Sequence, residues 1–558
     1  MGRKPLWLAG LALVLVACDD TFVPVLPPCT SSGTPLTLAV AQYRSLDPFL
    51  GSGCTLFPAS GAGSVEYLLV PQSASSTPND SQGFKLQGAA AALAALAPQL
   101  VVPEAPPAEL SPAERFHLFL RQAERTRAYG TPPPQAAPSA LAAPQVPATI
   151  TPVDSGSQRT FKVCGNLQCT TPLPTVTATA KKVGQHIAIY VDNAAPANGL
   201  SQADLDALRD VFDNQLYAVD RGAFGAESDI DSNAVVIVLM TNKVNQLVPK
   251  ADCQPKGFVA GYFFGADIDP VFRTSYNNAE IFYSIVADTG ALSCAHTVSA
   301  VKNIVPVTFV HEFQHMISYN QHVLLRGGAA EVLWLNEAMS HYAEERGGRS
   351  FLPTDSLSFC QFVKGDLFNA AAYDTAPGKR FLVDTAGIGG LEARGAYWLF
   401  LRYLIDQYAL DTSLAQADAF TRTLVNTAAT GVANVVQRAN NTAFATLVSR
   451  WTLANYVSDL PGFTAPPELR YKTWAFRSAY PLFNQKCTTA LPAVFPLSPG
   501  SGQGSAVNLS GVLRAGSGTY FRAQQGAGAA GFTLLFTSSS GTALRSSVVP
   551  RLNVIRIQ

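Results

Sequence analysis

Apolar residues recur along this chain with two different periods. HIAIYVDN (186–193) and AVVIVLMT (234–241) are short runs rich in β-branched residues and predict strands. Between them, SQADLDALRDVFDNQLYAVD has the spacing of an amphipathic helix, with Ser201 at its cap and an acidic first turn. VTFVHEFQHMISYN (307–320) is a second helical stretch: Val307, Val310, Phe313 and Ile317 form an apolar stripe, Pro306 suits the first helical position, and no breaker occurs before Asn320. After Gly327 and Gly328, EVLWLNEAMSHYAEERGG predicts a third helix, with Glu331 in its first turn, Arg346 in its last and Gly347 as C-cap.

The flanks read differently. Residues 36–88 hold short runs such as TLAVAQY and SVEYLLVP between Gly, Ser and Pro clusters, and predict a small β domain. Residues 89–158 are rich in Ala and Pro; one helix, Pro112 to Arg127, is expected inside an otherwise extended linker, which is also the place for a propeptide cut. Strands alternate with helices over 159–480, and 481–558 returns to short runs (FTLLFTSS, SSVVPRLNVIRIQ) that predict a terminal β module. The fold class expected is α+β.

Composition narrows the partners. Lys plus Arg equals Asp plus Glu at 39 each, so the chain lacks the basic surplus that nucleic acid binding draws on. At the start, Arg3 and Lys4 precede an apolar run, Leu6 to Ala17, too short to span a bilayer and laid out like an export signal over residues 1–17. Leu15-Val16-Ala17-Cys18 resembles a bacterial lipobox, which would lipidate Cys18 and attach the exported protein to a membrane through the tether 18–35. Setting Cys18 aside, eight cysteines remain, an even number that predicts disulfides in an exported chain, with Cys164 and Cys169 spaced to close a short loop. No CxxC pair occurs. Histidine and carboxylate are left as metal ligands.

HEFQH supplies them. On a helix His311 and His315 lie one turn apart on one face, where two imidazoles can converge on one ion, with Glu312 beside them. A catalytic zinc needs a third protein ligand and an open position. Glu337, set among Trp334, Leu335 and Ala338, is the candidate, because a carboxylate among apolar residues is costly unless paired or coordinated. Zinc held by two imidazoles and one carboxylate keeps a net positive charge and acidifies water; Glu312 then takes the proton and passes it to the departing amine.

HEFQHMISYN followed by WLNEAMSHYAEE resembles the gluzincin arrangement of thermolysin-like metallopeptidases. Together with NNAEIFYSIVAD upstream, it is similar to the hyicolysin family of bacterial zinc metallopeptidases. The resemblance covers residues 180–410 and implies a zincin-like domain, a protein or peptide substrate, one Zn2+ held by His311, His315 and Glu337, and Glu312 as catalytic acid/base. In thermolysin-like enzymes an aspartate four positions after the glutamate ligand orients the first histidine; His341 stands there in this chain.

The donor that would stabilise an oxyanion is left open among His341, Tyr342 and Tyr397, and the strand Ile281–Ser284 is the expected partner for an extended peptide. Two other readings stand beside an endopeptidase. One is a noncatalytic envelope lipoprotein whose β modules bind protein or glycan. The other is an aminopeptidase using Glu280 for the substrate amine. Asp229, Asp231 and Asn233 begin like a calcium loop but are expected to form a turn, His322 is expected to be exposed, and His117, His186 and His296 receive no role. Oligomeric state has no signature in the sequence.

Overall fold

The computed structural model describes Leu26, Cys29 and residues 33–90, 110–130, 150–290, 293–487 and 489–558. The signal segment, Cys18 and much of the Ala/Pro-rich stretch lie outside the described residues. Four strands come first, β1 Tyr43–Leu46, β2 Cys54–Phe57, β3 Val65–Ser73 and β4 Ser81–Ala90, then helix α1, Pro112–Thr126. Strands β5 Gln158–Lys162, β6 Thr175–Val183 and β7 Ile187–Asp192 lead into helices α2 Gln202–Val211 and α3 Tyr217–Phe224. Next come β8 Val236–Met240, short helices α4 Asn242–Asn245 and α5 Lys250–Lys256, and strands β9 Gly261–Phe263 and β10 Ile281–Ser284. Eight helices follow: α6 Val298–Tyr319, α7 Leu333–Arg349, α8 Ser356–Thr375, α9 Gly390–Tyr408, α10 Leu414–Val425, α11 Gly431–Arg438, α12 Phe444–Val457 and α13 Phe476–Cys487. Strands β11 Gly500–Gln503, β12 Asn508–Arg514, β13 Phe521–Gln525, β14 Phe532–Ser538 and β15 Pro550–Arg556 close the chain. The fold is mixed α+β, as the patterns predict.

The middle of the chain is built on a six-stranded sheet in the order β5-β6-β7-β8-β10-β9. β8 is buried along its whole length and runs parallel to both β7 and β10, which explains its unbroken apolar sequence VIVLM. β9 and β5 are the edge strands, each antiparallel to its neighbour. The strand Ile281–Ser284 therefore lies between two neighbours and has no free edge for a peptide; at the edge strand β9 the outward groups of Phe263 are taken by Glu312 and Arg121, which leaves the main chain of Gly261.

Helix α6 starts earlier than expected, at Val298, with the Thr297 hydroxyl accepting from the Ala300 N–H at 3.2 Å. Pro306 sits inside the helix. The carbonyl it leaves without an intrahelical donor belongs to Lys302, an exposed residue, so water can satisfy it. From Thr308 to Val323 every residue is buried. The stripe seen in the sequence thus belongs to a helix enclosed on all sides. Helix α7 begins at Leu333, which leaves Glu331 before the helix, where it accepts from the N–H groups of Val332 (2.7 Å) and Gly431 (2.6 Å). The helix also runs past Gly347 to Arg349, with Ser350 as its cap. Gly347 and Gly348 are needed for close packing of α8: a Cβ at Gly348 would come within 2.9 Å of Phe362 Cβ.

Strands from the two ends of the chain pair with one another. β3 lies between β15 and β13, and β4 between β12 and β14, forming a five-stranded and a four-stranded sheet. Leu69, Leu86, Phe532, Phe536 and Val554 fill the space between them, and Phe57 stacks on Phe532 at 4.4 Å. The outer face of the larger sheet packs on α12 through Leu68, Val70, Leu453, Tyr456 and Ile555. A buried polar set locks this contact: Gln72 donates to Ser449 (2.9 Å) and accepts from Thr452 and Asn553 (both 2.6 Å).

All eight cysteines after Cys18 are paired, as Cys29–Cys54, Cys164–Cys169, Cys253–Cys294 and Cys360–Cys487. Among the described residues no helix is long and apolar enough to cross a membrane.

Candidate metal centre

α6 and α7 pack face to face and bring three side chains together. His311 and His315, one turn apart, place their Nε2 atoms 3.2 Å from each other. Glu337 of α7 reaches both: Oε2 lies 3.6 Å from His311 Nε2 and Oε1 lies 3.8 Å from His315 Nε2. All three residues are buried.

The other ring nitrogens decide which atoms are free to bind. His311 Nδ1 lies 2.6 Å from Glu344 Oε1, and His315 Nδ1 lies 3.0 Å from Asn336 Oδ1. A carboxylate and an amide oxygen can only accept, so each Nδ1 carries a proton and each Nε2 is the atom turned toward Glu337. Both Glu337 oxygens are buried without a hydrogen-bond partner. Arg394 Nη1 comes within 3.1 Å of Glu337 Oε2, an ion-pair distance, but without hydrogen-bond alignment. Burial alone would raise the pKa of Glu337; Arg394 and the two imidazoles outweigh it and hold the carboxyl well below its usual range. An ionised carboxylate and two imidazole Nε2 atoms, desolvated and gathered about one point, are a nitrogen and oxygen donor set that fits a divalent metal ion.

Burial likewise works against a charged His311, but Glu337 and Glu344 reverse that and push it up to about 10. His315, with no carboxylate on its Nδ1, is held well below its ordinary value by burial. The two rings differ in that His311 meets Glu337 and also has Glu344 on its Nδ1, whereas the Nδ1 of His315 rests on the neutral Asn336.

Glu344 is the residue that the sequence reading missed. It lies seven positions after Glu337, two helical turns along the same face, and takes the orienting place expected of residue 341. His341 itself is held through Nδ1 by Asp366 Oδ1 at 2.9 Å, with Glu344 Oε1 at 3.2 Å. Burial opposes its protonation, but these two carboxylates raise it to about 9.

Glu312 accepts the Phe263 N–H of β9 at 2.8 Å. Burial raises its pKa, opposed by His311 and Arg121. A cavity of about 330 Å³ opens beside these groups, lined by His311, Glu312, His341 and Glu344 on the metal side and by β9 at Gly261. α1 forms another wall with Ala113, Glu114 and His117, so His117, given no role from the sequence, lies at the cleft.

Other sequence candidates fall elsewhere. Tyr342 is buried against Phe224 and Arg402, and Tyr397 donates to Asp384 Oδ2 at 2.9 Å; neither lines the cavity, because their positions on α7 and α9 face the helical core. Glu280 is buried and accepts from Ser228 (2.5 Å) and from the Ile230 N–H (3.0 Å), also away from the cavity. It stands with Asp229 and Asp231, and Asp229 forms the expected turn by accepting from the Asn233 N–H at 3.0 Å. His322 is fully buried rather than exposed, since the helical path continues past Tyr319; burial lowers its pKa to about 4, aided by Arg326 and Arg125. His186 stacks on Tyr217 at 3.8 Å, and His296 pairs through its backbone with Asp288.

No protein-family model matches the chain. Over 135 residues it is 30% identical to the neutral metalloprotease ShpI of Staphylococcus hyicus. That segment is 24% of this chain and spans 28% of the relative's length. The likeness is to a metalloprotease, over a minor part of both proteins.

Proposed function

We propose that this protein is an exported zinc peptidase that cuts within polypeptide chains, with His311, His315 and Glu337 as the metal ligands and Glu312 as general base. The observation that carries the reading is the convergence of two imidazole Nε2 atoms and a buried carboxylate that accepts no hydrogen bond, beside a cavity that His311 and Glu312 line. Bound zinc would supply Lewis acidity, polarising the scissile carbonyl and acidifying water at neutral pH.

The chain's own residues do the rest. Glu344 and Asn336 fix the two imidazoles, so little reorganisation is needed on binding. Glu312 takes a proton from the attacking water and delivers it to the leaving amine. Burial raises its pKa, which strengthens it as a proton acceptor. An extended substrate lies along β9. Ala260 O pairs with Ile285 N and Tyr262 faces Tyr283, so strand alternation turns the main chain of Gly261 outward. Main-chain pairing at a strand edge requires no free terminus of the substrate, which favours an endopeptidase.

The signal-like segment and Cys18 support export and lipid attachment, in keeping with the four disulfides. Purified full-length protein should contain one zinc and cleave casein until a chelator is added. Glu312→Gln should retain the metal and lose cleavage; a variant that retains both excludes this mechanism.

A further inference from the structure

The cavity beside His311 and Glu312 is lined by three cationic side chains and three carboxylates, Glu114, Glu312 and Glu344. Lys256, Lys364 and Arg394 all line it. Lys256 is mostly exposed and pairs with Asp252 at 2.9 Å. Lys364 is half-buried and donates to Gln361 Oε1 at 2.7 Å; among the described residues it has no carboxylate partner. Arg394 is 12% exposed, and among the described residues its one ion-pair partner is Glu337 Oε2, with which it is not aligned for hydrogen bonding.

The acidic groups of the cavity are occupied elsewhere. Glu114 accepts from the N–H groups of Ser111 (2.7 Å) and Leu391 (2.8 Å). Glu344 lies between His311 and His341, and Glu312 accepts from Phe263. Two cations therefore face the cleft with unspent hydrogen-bonding capacity, beside the apolar surfaces of Val307 and Phe362. Burial lowers the pKa of Lys364, a cost that an incoming carboxylate would offset.

We propose that Lys364 and Arg394 form a carboxylate-recognising subsite in this cleft, filled by an acidic side chain of the peptide or by its free C-terminal carboxylate. This takes the cavity to be the substrate cleft of the peptidase reading. Arg394 offers a planar fork that matches a carboxylate, while Lys364 supplies a mobile charge at the cleft wall. Val307 and Phe362 would contact the methylene groups of a glutamate side chain.

The test uses full-length Glu312→Gln protein and fluorescein-labelled peptides that differ only by Glu or Gln at one position, each with a free or an amidated C-terminus. The Glu peptide should bind about tenfold more tightly at low salt, with the gap closing at about 0.5 M salt as the charges are screened. A Glu-over-Gln gain that survives amidation identifies the side chain as the source; free-terminus peptides that bind more tightly than their amides, with Glu and Gln alike, identify the terminus. Lys364→Glu should reverse the order, and Lys364→Gln should flatten it if the charge-reversed chain fails to fold. Equal affinities for all four peptides overturn the inference, as does an unchanged order in both Lys364 variants. Acidic-peptide binding by a wild-type chain that cleaves nothing would uphold the subsite and overturn the peptidase reading.

Discussion

Glu344 Oε1 lies 2.6 Å from His311 Nδ1 and fixes which nitrogen of that ring faces the metal position. Removing the contact should weaken metal binding without removing a ligand. Glu344→Ala is expected to lower zinc affinity by about 10–100-fold, read by competition against a chromophoric chelator. An affinity equal to wild type would show that His311 needs no such support.

A second relationship reaches the site from outside the helices that carry it. Arg121 of α1 donates to the Phe263 carbonyl at 3.2 Å, and the Phe263 N–H donates to Glu312 at 2.8 Å. Arg121 is buried and ion-paired to Glu124 at 2.9 Å. Replacing it alone strands a buried carboxylate, which typically costs about 3–5 kcal/mol. The double variant Arg121→Met with Glu124→Leu avoids that. It should stay close to wild-type thermal stability yet show a lower kcat with KM little changed, because β9 loses the donor that helps position Glu312. Unchanged kcat in a stable double variant would leave Arg121 a purely structural residue.

The pairing of His311 with His315 was legible in the sequence because its geometry is local. A four-residue spacing on a helix fixes the relation of His311 to His315 with no knowledge of the rest of the fold. Glu337 was also within reach, as a carboxylate among apolar neighbours. Glu344 was not, since a glutamate near a helix end, followed by Glu345 and Arg346, looks like part of a solvated face; only the packing of α7 against α6 makes it buried. The strands of residues 43–90 could be seen, but not their partners at 500–556, because alternation specifies a face and not a neighbour. Placing the peptide-binding edge on Ile281–Ser284 failed for the same reason: β10 is the more apolar run, and such runs belong to the sheet interior.

Glu280 provides a pH signature separate from catalysis. Burial raises its pKa from about 4.5 to about 7, although Ser228 and Ile230 donate to it. Between those values the folded state binds a proton that the unfolded state has released, so its contribution to stability is present at low pH and lost as pH rises toward 7. Glu280→Gln removes this term. Wild type should therefore lose on the order of 2–3 kcal/mol relative to the variant between pH 5 and pH 8, measured by urea unfolding. Peptide cleavage should be unaffected, since Glu280 lies away from the cavity; a loss of cleavage confined to substrates with a free N-terminus would instead favour the aminopeptidase reading.

The central claim is that His311, His315 and Glu337 grip one ion. Anomalous diffraction at the zinc edge from crystals of metal-loaded full-length protein tests it most directly. The account predicts one strong peak about 2.0–2.2 Å from both Nε2 atoms and from a Glu337 oxygen. A peak at Asp229, Asp231 and Glu280 alone, or an empty map around His311 with Glu337 still turned to Arg394, would contradict it.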